Sequence, residues 1–394
     1  MDPTRIIGKA KKSFELQSDQ TDEWISDILD GWFNSSDQPK NDLKDDIIAK
    51  DISEYKLEIE NVDVDKYEEL QQLKDKFEDP RFVKARSETN PVEGIGKGIF
   101  LNRAAIKLAN IDAIFKLSKY NIDFLTKTSS LPFIFADVAG GPGGFTEYLQ
   151  YRLPNSVGYG ITLKSGLPWN MNKLDMNYFN ITYGRDETGN VFTNSDYFSE
   201  WVLSKNREGV DLVVSDGGFE TDDRPRQQEI LSAGLILHEI LIALMILKPN
   251  GNFLVKVFDT VTPISADLIY LITLCFDETY MFKPLSSRPA NSERYLVAKS
   301  KKPNIDHYIR ILKSASIWLN KGKNIIITRL FKDLPSDFKT WLYRNNMNNY
   351  NLQFETANNI ISYMNKTPIT IPLYDCDKCL VTWNLPHQRY NKSN

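Results

Sequence analysis

From about residue 98 to residue 300, short apolar runs alternate with stretches whose apolar positions recur every three or four residues. Alternation of that kind predicts strands separated by helices, the pattern of an α/β sheet. The expected strands are Phe133–Val138, Val157–Leu163, Val210–Asp216, Gly251–Phe258, Thr279–Lys283 and Arg294–Lys299. A helix rich in Leu and Ile is expected from about Gln227 to Leu247, stopping before the breaker Pro249-Asn250-Gly251. Another is expected from Pro263 to Phe276, with proline at its start, where the missing N–H costs nothing.

Outside that region the pattern changes. Residues 1–80 read as polar helices with sparse apolar positions such as Trp24, Ile28, Leu29 and Phe33. Pro80 and Pro91 bound a basic linker containing Arg81, Lys84 and Arg86. After Pro303 the chain reads as a smaller helical region, with Trp318, Trp341 and Tyr343 as packing residues. The expected organisation is an acidic helical extension over 1–80, a sheet domain over 81–302 and a small, mainly helical region over 303–394.

Composition refines this picture at three points. At 394 residues and 41% hydrophobic, the chain can bury a large core. No apolar run approaches the roughly 20 residues that span a bilayer, and the N-terminus is charged without a signal-peptide core. A soluble, intracellular protein, in nucleus or cytoplasm and with no membrane partner, is therefore expected. Three cysteines are too few for a disulfide framework, and Cys376-Asp-Lys-Cys379 is a lone CxxC with no second pair, so no metal site is expected. Charge is unevenly spread. Residues 15–79 hold 21 acidic against 7 basic side chains, a balance of −14, so the remainder carries +10 within a total of −4. A basic body points to a polyanionic ligand; the acidic segment is expected to be a solvated helical face.

Candidate chemistry starts at the first strand. Asp137 ends an apolar run, the turn Ala139-Gly140-Gly141-Pro142-Gly143-Gly144 follows, and an amphipathic helix begins at Phe145. A strand, glycine turn and helix N-terminus let a nucleotide-like ligand approach bare backbone. The spacing is not GxGxxG, and no GxxxxGK[ST] loop occurs. Further on, Lys107 sits on a helix before the first strand, Asp216 ends a strand ahead of Gly217-Gly218, and Glu293 precedes Arg294-Tyr295. Lys256 lies inside the apolar strand Phe253-Leu-Val-Lys-Val-Phe258, where an ammonium is costly unless paired or shifted. Taken singly, each has an ordinary alternative: an exposed helix lysine, a turn carboxylate, a snorkelling strand-edge lysine, a surface ion pair.

Together these segments resemble the RrmJ/FtsJ-type Rossmann methyltransferases, nearest to the cellular enzymes that methylate the first transcribed nucleotide of capped mRNA. The resemblance runs over about residues 86–300. It is carried by Phe100-Leu-Asn-Arg-Ala-Ala-Ile-Lys107, Ala136-Asp-Val-Ala-Gly-Gly-Pro-Gly-Gly-Phe145, Ser215-Asp-Gly-Gly-Phe219, Gln228-Glu-Ile230, Lys256-Val-Phe-Asp259 and Lys283-Pro-Leu-Ser-Ser-Arg-Pro-Ala-Asn-Ser-Glu-Arg-Tyr295. It implies a doubly wound, mostly parallel seven-stranded sheet with helical N- and C-terminal extensions. It also implies a catalytic tetrad of Lys107, Asp216, Lys256 and Glu293, and S-adenosylmethionine as cofactor. The implied cofactor contacts are Asn102, Asp137, the turn from Ala139 through Gly140, Gly141, Pro142, Gly143 and Gly144 to Phe145, and Asn190 with Val191. The family usually shows an aspartate where Asn190 stands, though an amide keeps hydrogen-bonding capacity.

The implied substrate is the 5′ end of capped mRNA, set against Arg86, Arg226, Gln227, Gln228, Arg288 and Asn291. Other capping or transcription proteins are implied as partners. Methyl transfer to a ribose hydroxyl requires Lys256 to orient the hydroxyl and accept its proton, which needs a pKa drawn toward neutrality. Burial and Lys107 push it down, and Asp216 and Glu293 oppose that shift. Two alternatives stay open: ribose methylation of rRNA or tRNA, and a non-catalytic RNA-binding scaffold.

Overall fold

The structure is a computed structural model that describes residues 7–8, 32–33, 47–118, 132–218, 228–322, 324–372 and 374–386. Seven strands form the central sheet: β1 (Ile134–Val138), β2 (Val157–Ile161), β3 (Phe179–Thr182), β4 (Val210–Ser215), β5 (Leu247–Val257), β6 (Phe276–Phe282) and β7 (Arg294–Lys301). Their spatial order is β6-β7-β5-β4-β1-β2-β3, and a two-residue strand, Trp32–Phe33, adds an eighth at the β6 edge. Strands β3, β2, β1, β4 and β5 are parallel neighbours; β7 runs antiparallel between β5 and β6. The doubly wound, mostly parallel fold expected from the sequence is present. Strand β3 is the one that the apolar pattern left out, because only one of its four residues is fully buried.

The central strands are apolar because helices cover both faces. Every residue of β4 is buried, as expected where βαβ crossovers sandwich a parallel sheet. One face carries α5 (Val191–Lys205), α6 (Gln228–Ile246), α7 (Pro263–Cys275) and α8 (Asp306–Leu319). The other carries α3 (Arg103–Phe115), α4 (Gly144–Arg152) and the short α10 (Cys376–Thr382), on which Cys376 and Cys379 sit one turn apart. Helix α7 begins with Pro263 in its first turn, as its sequence predicts.

Helix α6 corrects one expectation. At 19 residues it is long and apolar enough to cross a membrane by length and composition, but 83% of its most apolar stretch is buried inside the fold. It packs against α5, α7 and α8, which is the other home of a helix that is apolar all round. Truncating Leu241 or Ile242, both buried, to alanine should cost ~2–5 kcal/mol through lost transfer energy and the cavity left.

The described part of the N-terminal segment holds less helix than expected, and Trp24, Ile28 and Leu29 lie outside the described residues. Among its described residues are one helix, α1 (Val64–Lys74), a 3-10 turn at Asp75–Glu78 and the strand residues Ile7–Gly8, Trp32–Phe33 and Ile48–Asp51. Ile48–Asp51 pairs antiparallel with Ile325–Arg329, and Ile7–Gly8 parallel with Ile369–Thr370. Strand pairing over almost the whole chain length leaves no local periodic mark, so the polar pattern alone suggested helix. The long α9 (Ser336–Met364) packs against α1 and against α2 (Phe82–Glu88), joining the two ends of the chain.

Candidate active site

Strand direction explains why distant residues meet. The parallel strands β1, β4 and β5 end at one edge of the sheet, so Asp137, Asp216 and Lys256 arrive together. Strand β7 is antiparallel, so its first residues lie at that same edge: Arg294 pairs with Val257 and Tyr295 with Lys256. Glu293, just before β7, therefore joins residues that end their strands. Helix α3 brings Lys107 from the other side.

The four ionisable groups form two linked pairs. Lys107 Nζ lies 2.8 Å from Glu293 Oε1 and 2.8 Å from Oε2. Lys256 Nζ donates to the Asp216 carbonyl at 2.7 Å and lies 3.3 Å from Asp216 Oδ1. Tyr295 donates its hydroxyl to Asp216 Oδ1 at 2.7 Å, and Ser287 donates to Glu293 Oε1 at 2.7 Å. All four side chains keep a small opening to solvent, between 11% and 17%. In a nearly dry ion pair the cost lies in breaking it, because removing one partner strands the other.

Electrostatics revise the expectation for Lys256. Burial pulls its ammonium toward neutrality, but Asp216, Glu293 and Glu239 together outweigh burial, and the net shift is upward. In the free protein Lys256 is therefore held as an ammonium, not poised as a base. Glu293 is depressed to about 2: burial opposes ionisation, but Lys107 and Lys256 overcome it.

The glycine turn lies beside this cluster. Ala139 and Gly143 hold positive φ, +55° and +108°. The other glycines are required by their neighbours. A Cβ at Gly140 would sit 2.0 Å from Asp137 Oδ1, one at Gly141 2.0 Å from the Leu167 carbonyl, and one at Gly144 2.1 Å from Asn102 Oδ1. Gly143 caps α4, so the free N–H groups of that helix open at the turn. The turn stands between β1 and β4, at the point where strand order reverses, which in doubly wound sheets is the ligand crevice. Bare backbone, helix N-terminus and crevice fit a nucleoside cofactor.

Residues expected around the cofactor fall into two groups. Asn102 and Asn190 are N-caps, accepting from Ala104 N and Phe192 N, so each has its side-chain oxygen committed and its amide N–H₂ left to donate. Asp137 and Phe145 are buried on either side of the turn, and Val191 is buried at the start of α5. The Asp137 carboxyl accepts from the Thr146 hydroxyl at 2.7 Å, and burial, with Asp216 adding to it, pushes it up to about 7.

On the Glu293 side three arginines gather around one carboxylate. Arg103 Nη1 lies 3.0 Å and Arg288 Nη2 3.3 Å from Glu93 Oε1, while Asn90 donates to Oε2 at 2.5 Å. Arg86 stacks its guanidinium 5.2 Å over the Phe82 ring. Its proton affinity is lowered by burial and by Arg288 and Arg103, which places all three cations in one field. One carboxylate against three guanidiniums leaves an excess of +2, a setting for phosphate. Asn291 is exposed, with its side-chain oxygen accepting from Lys283 at 2.9 Å. Gln228 opens α6, half-buried; Arg226 and Gln227 lie outside the described residues.

Sequence reasoning missed Arg103, Tyr295, Ser287 and Glu93 as members of the site. Arg103 and Tyr295 flank residues that were singled out. The role of Glu93 comes from its pairing with Arg103 and with Arg288 across the fold.

The sequence pattern of the FtsJ-like methyltransferase family matches residues 100–301. A cap-specific mRNA (nucleoside-2′-O-)-methyltransferase 1 of Mus musculus is 35% identical over 329 residues, 77% of this chain and 39% of that protein. The protein of that name in Drosophila melanogaster is 42% identical over 242 residues, 59% and 31% of the two chains. The one in Dictyostelium discoideum is 32% identical over 420 residues, 96% and 54%. The chain thus spans between about a third and about half of the length of these curated relatives.

Proposed function

The chain belongs to the FtsJ-like methyltransferase family, and we propose that it transfers a methyl group to the ribose 2′-OH of the first transcribed nucleotide of capped RNA. The observation that carries this reading is the meeting of two largely enclosed lysine–carboxylate pairs with a glycine crevice on one side and a three-arginine cluster on the other. The catalytic unit is read as residues 81–302, with 1–80 and 303–394 as extensions that pair with each other around it.

S-adenosylmethionine, held by the turn from Ala139 to Phe145 with the amides of Asn102 and Asn190, supplies an electrophilic methyl on a sulfonium. Lys256 then has two tasks. As an ammonium it donates to the ribose oxygen and fixes its direction of attack. It becomes able to take the hydroxyl proton only when its own proton is lost, which added positive charge in the crevice favours. Asp216, braced by Tyr295, anchors Lys256, and Glu293, braced by Lys107 and Ser287, closes the cluster. Positioning in a near-attack geometry supplies much of the rate. Arg86, Arg103 and Arg288 suit the cap triphosphate, and Gln228 and Asn291 are read as further RNA contacts.

Labelled S-adenosylmethionine incubated with three short RNAs tests the reading: one with an N7-methylguanosine cap, one with an unmethylated cap, one uncapped. Label should enter capped RNA. Equal labelling of uncapped RNA would favour the rRNA or tRNA alternative, and none in any RNA the scaffold alternative.

A further inference from the structure

Helix α6 carries an anomaly at its centre. In the run Leu235-Ile-Leu-His-Glu-Ile-Leu-Ile242, Glu239 is fully buried. Neither of its carboxyl oxygens has a hydrogen-bond partner; the Gly217 N–H faces it without closing a well-formed bond. His238 beside it is satisfied, by the Gly234 carbonyl at 2.7 Å and the Ser316 hydroxyl at 2.8 Å. A buried carboxyl whose one facing donor closes no well-formed bond is costly, and glutamine or leucine would pack there more cheaply. Its presence calls for a role.

Its position suggests one. Glu239 presses on the turn that follows β4: a Cβ at Gly217 would lie 2.3 Å from Oε1 and 3.0 Å from the Cβ of Ala139, in the neighbouring turn. Beneath that neighbouring turn lies Asp137, also fully buried, with Oδ1 unpartnered. Two buried carboxyls thus underlie the two adjoining turns that line the crevice. The charged groups facing Glu239 are Lys256 at the end of β5, Asp216 at the end of β4 and Asp137 at the end of β1. Burial pushes Glu239 up to about 8, with Lys256 opposing and Asp216 adding, so near neutral pH it holds a proton that a nearby cation can expel.

Donor and spent product differ by one methyl group and one positive charge. We propose that Glu239, with Asp137 beside it, releases a proton when the cationic sulfonium donor occupies the crevice and regains it when the neutral thioether product is left. The balance is simple: protein carboxylic acid plus donor cation gives carboxylate–cation complex plus a proton to solvent. The site thereby favours charged donor over neutral product, increasingly as pH rises. This inference rests on the proposed donor site.

The test is titration calorimetry of the full chain with S-adenosylmethionine and with S-adenosylhomocysteine, between pH 6.5 and 8.5, in two buffers of different ionisation enthalpy. The amino and carboxylate groups are common to both ligands, and titrating each free ligand first corrects the affinity ratio for the amine, which the sulfonium makes more acidic. In the native protein the donor should release more protons than the product, and the donor-to-product affinity ratio should rise about fourfold across that range. In Glu239→Gln, close in shape and unable to ionise, the rise should shrink by at least half. Equal pH slopes for both ligands in the native protein would overturn the proposal without any variant. So would a full native slope in a folded Glu239→Gln. If neither ligand binds, the donor-site reading fails and takes this inference with it; if both bind with equal slopes, only this inference fails.

Discussion

The glycine turn after β1 and the arginine cluster around Glu93 are built in opposite ways. The turn is contiguous: strand, five residues and helix, with Gly143 held at positive φ and Gly140, Gly141 and Gly144 fixed by neighbours that a Cβ would strike. The cluster is assembled from three separate stretches, with Arg86 on α2, Arg103 on α3 and Arg288 on the loop before β7. Glu93 is the point around which they gather. One half is backbone, steric and nearly rigid; the other is long side chains held by charge at a partly open surface. The turn should therefore tolerate almost no substitution, whereas the cluster should lose function in steps. Between them, the Lys107–Glu293 and Asp216–Lys256 pairs belong to neither and serve both.

That contrast can be broken at its centre first. Lys256→Ala should lower methyl transfer by ~10³-fold or more, since the group that orients the hydroxyl and receives its proton is gone. Donor affinity measured by calorimetry should stay near the native value. Substantial turnover by a folded Lys256→Ala protein would remove the assignment. On the turn side, Gly141→Ala forces a Cβ to 2.0 Å from the Leu167 carbonyl. The turn must move, and donor affinity should fall by about tenfold or more, equivalent to ~1.4 kcal/mol, while capped-RNA binding without donor is retained.

On the cluster side, Arg86→Ala or Arg288→Ala should each raise KM for capped RNA severalfold with little change in donor affinity. Each should also lower the slope of log affinity against log salt by about one. Loss of donor binding in either variant would show that the halves are not separate.

The smallest effect concerns stability. Burial raises the Glu239 carboxyl from 4.5 to about 8, so the native state binds a proton that the unfolded chain has lost. Its contribution is fully favourable below pH 4.5 and is lost as pH rises toward and through 8. Glu239→Gln should therefore gain about 1–3 kcal/mol over the native protein between pH 5 and pH 8.5, read from chemical denaturation at both values. A pH-independent difference would argue against a buried ionisable Glu239.

How far the sequence reveals each region follows from the same difference. The turn, strand and helix were readable because their cause is local: apolar run, glycines, amphipathic helix. Lys256 was readable because a charge inside an apolar strand needs an explanation. Glu239 presents the same anomaly inside an apolar helix and deserved the same question. The arginine cluster was only half readable. Arg86 and Arg288 stood out as cations near the site, but Arg103 and Glu93 join them only through side-chain pairing in the assembled fold. The pairing of Ile48–Asp51 with Ile325–Arg329 left no mark at all, since register between segments so far apart is decided by the assembled fold.

The position of the transferred methyl tests the central claim most directly. Methylation of a ribose 2′-OH blocks attack of that oxygen on the neighbouring phosphate, so the linkage survives alkali. Capped RNA labelled by this protein and then hydrolysed in alkali should carry all its label in one resistant fragment, the cap joined to the first two nucleotides. Label released in mononucleotides, or held in fragments from the interior of the RNA, would contradict the account.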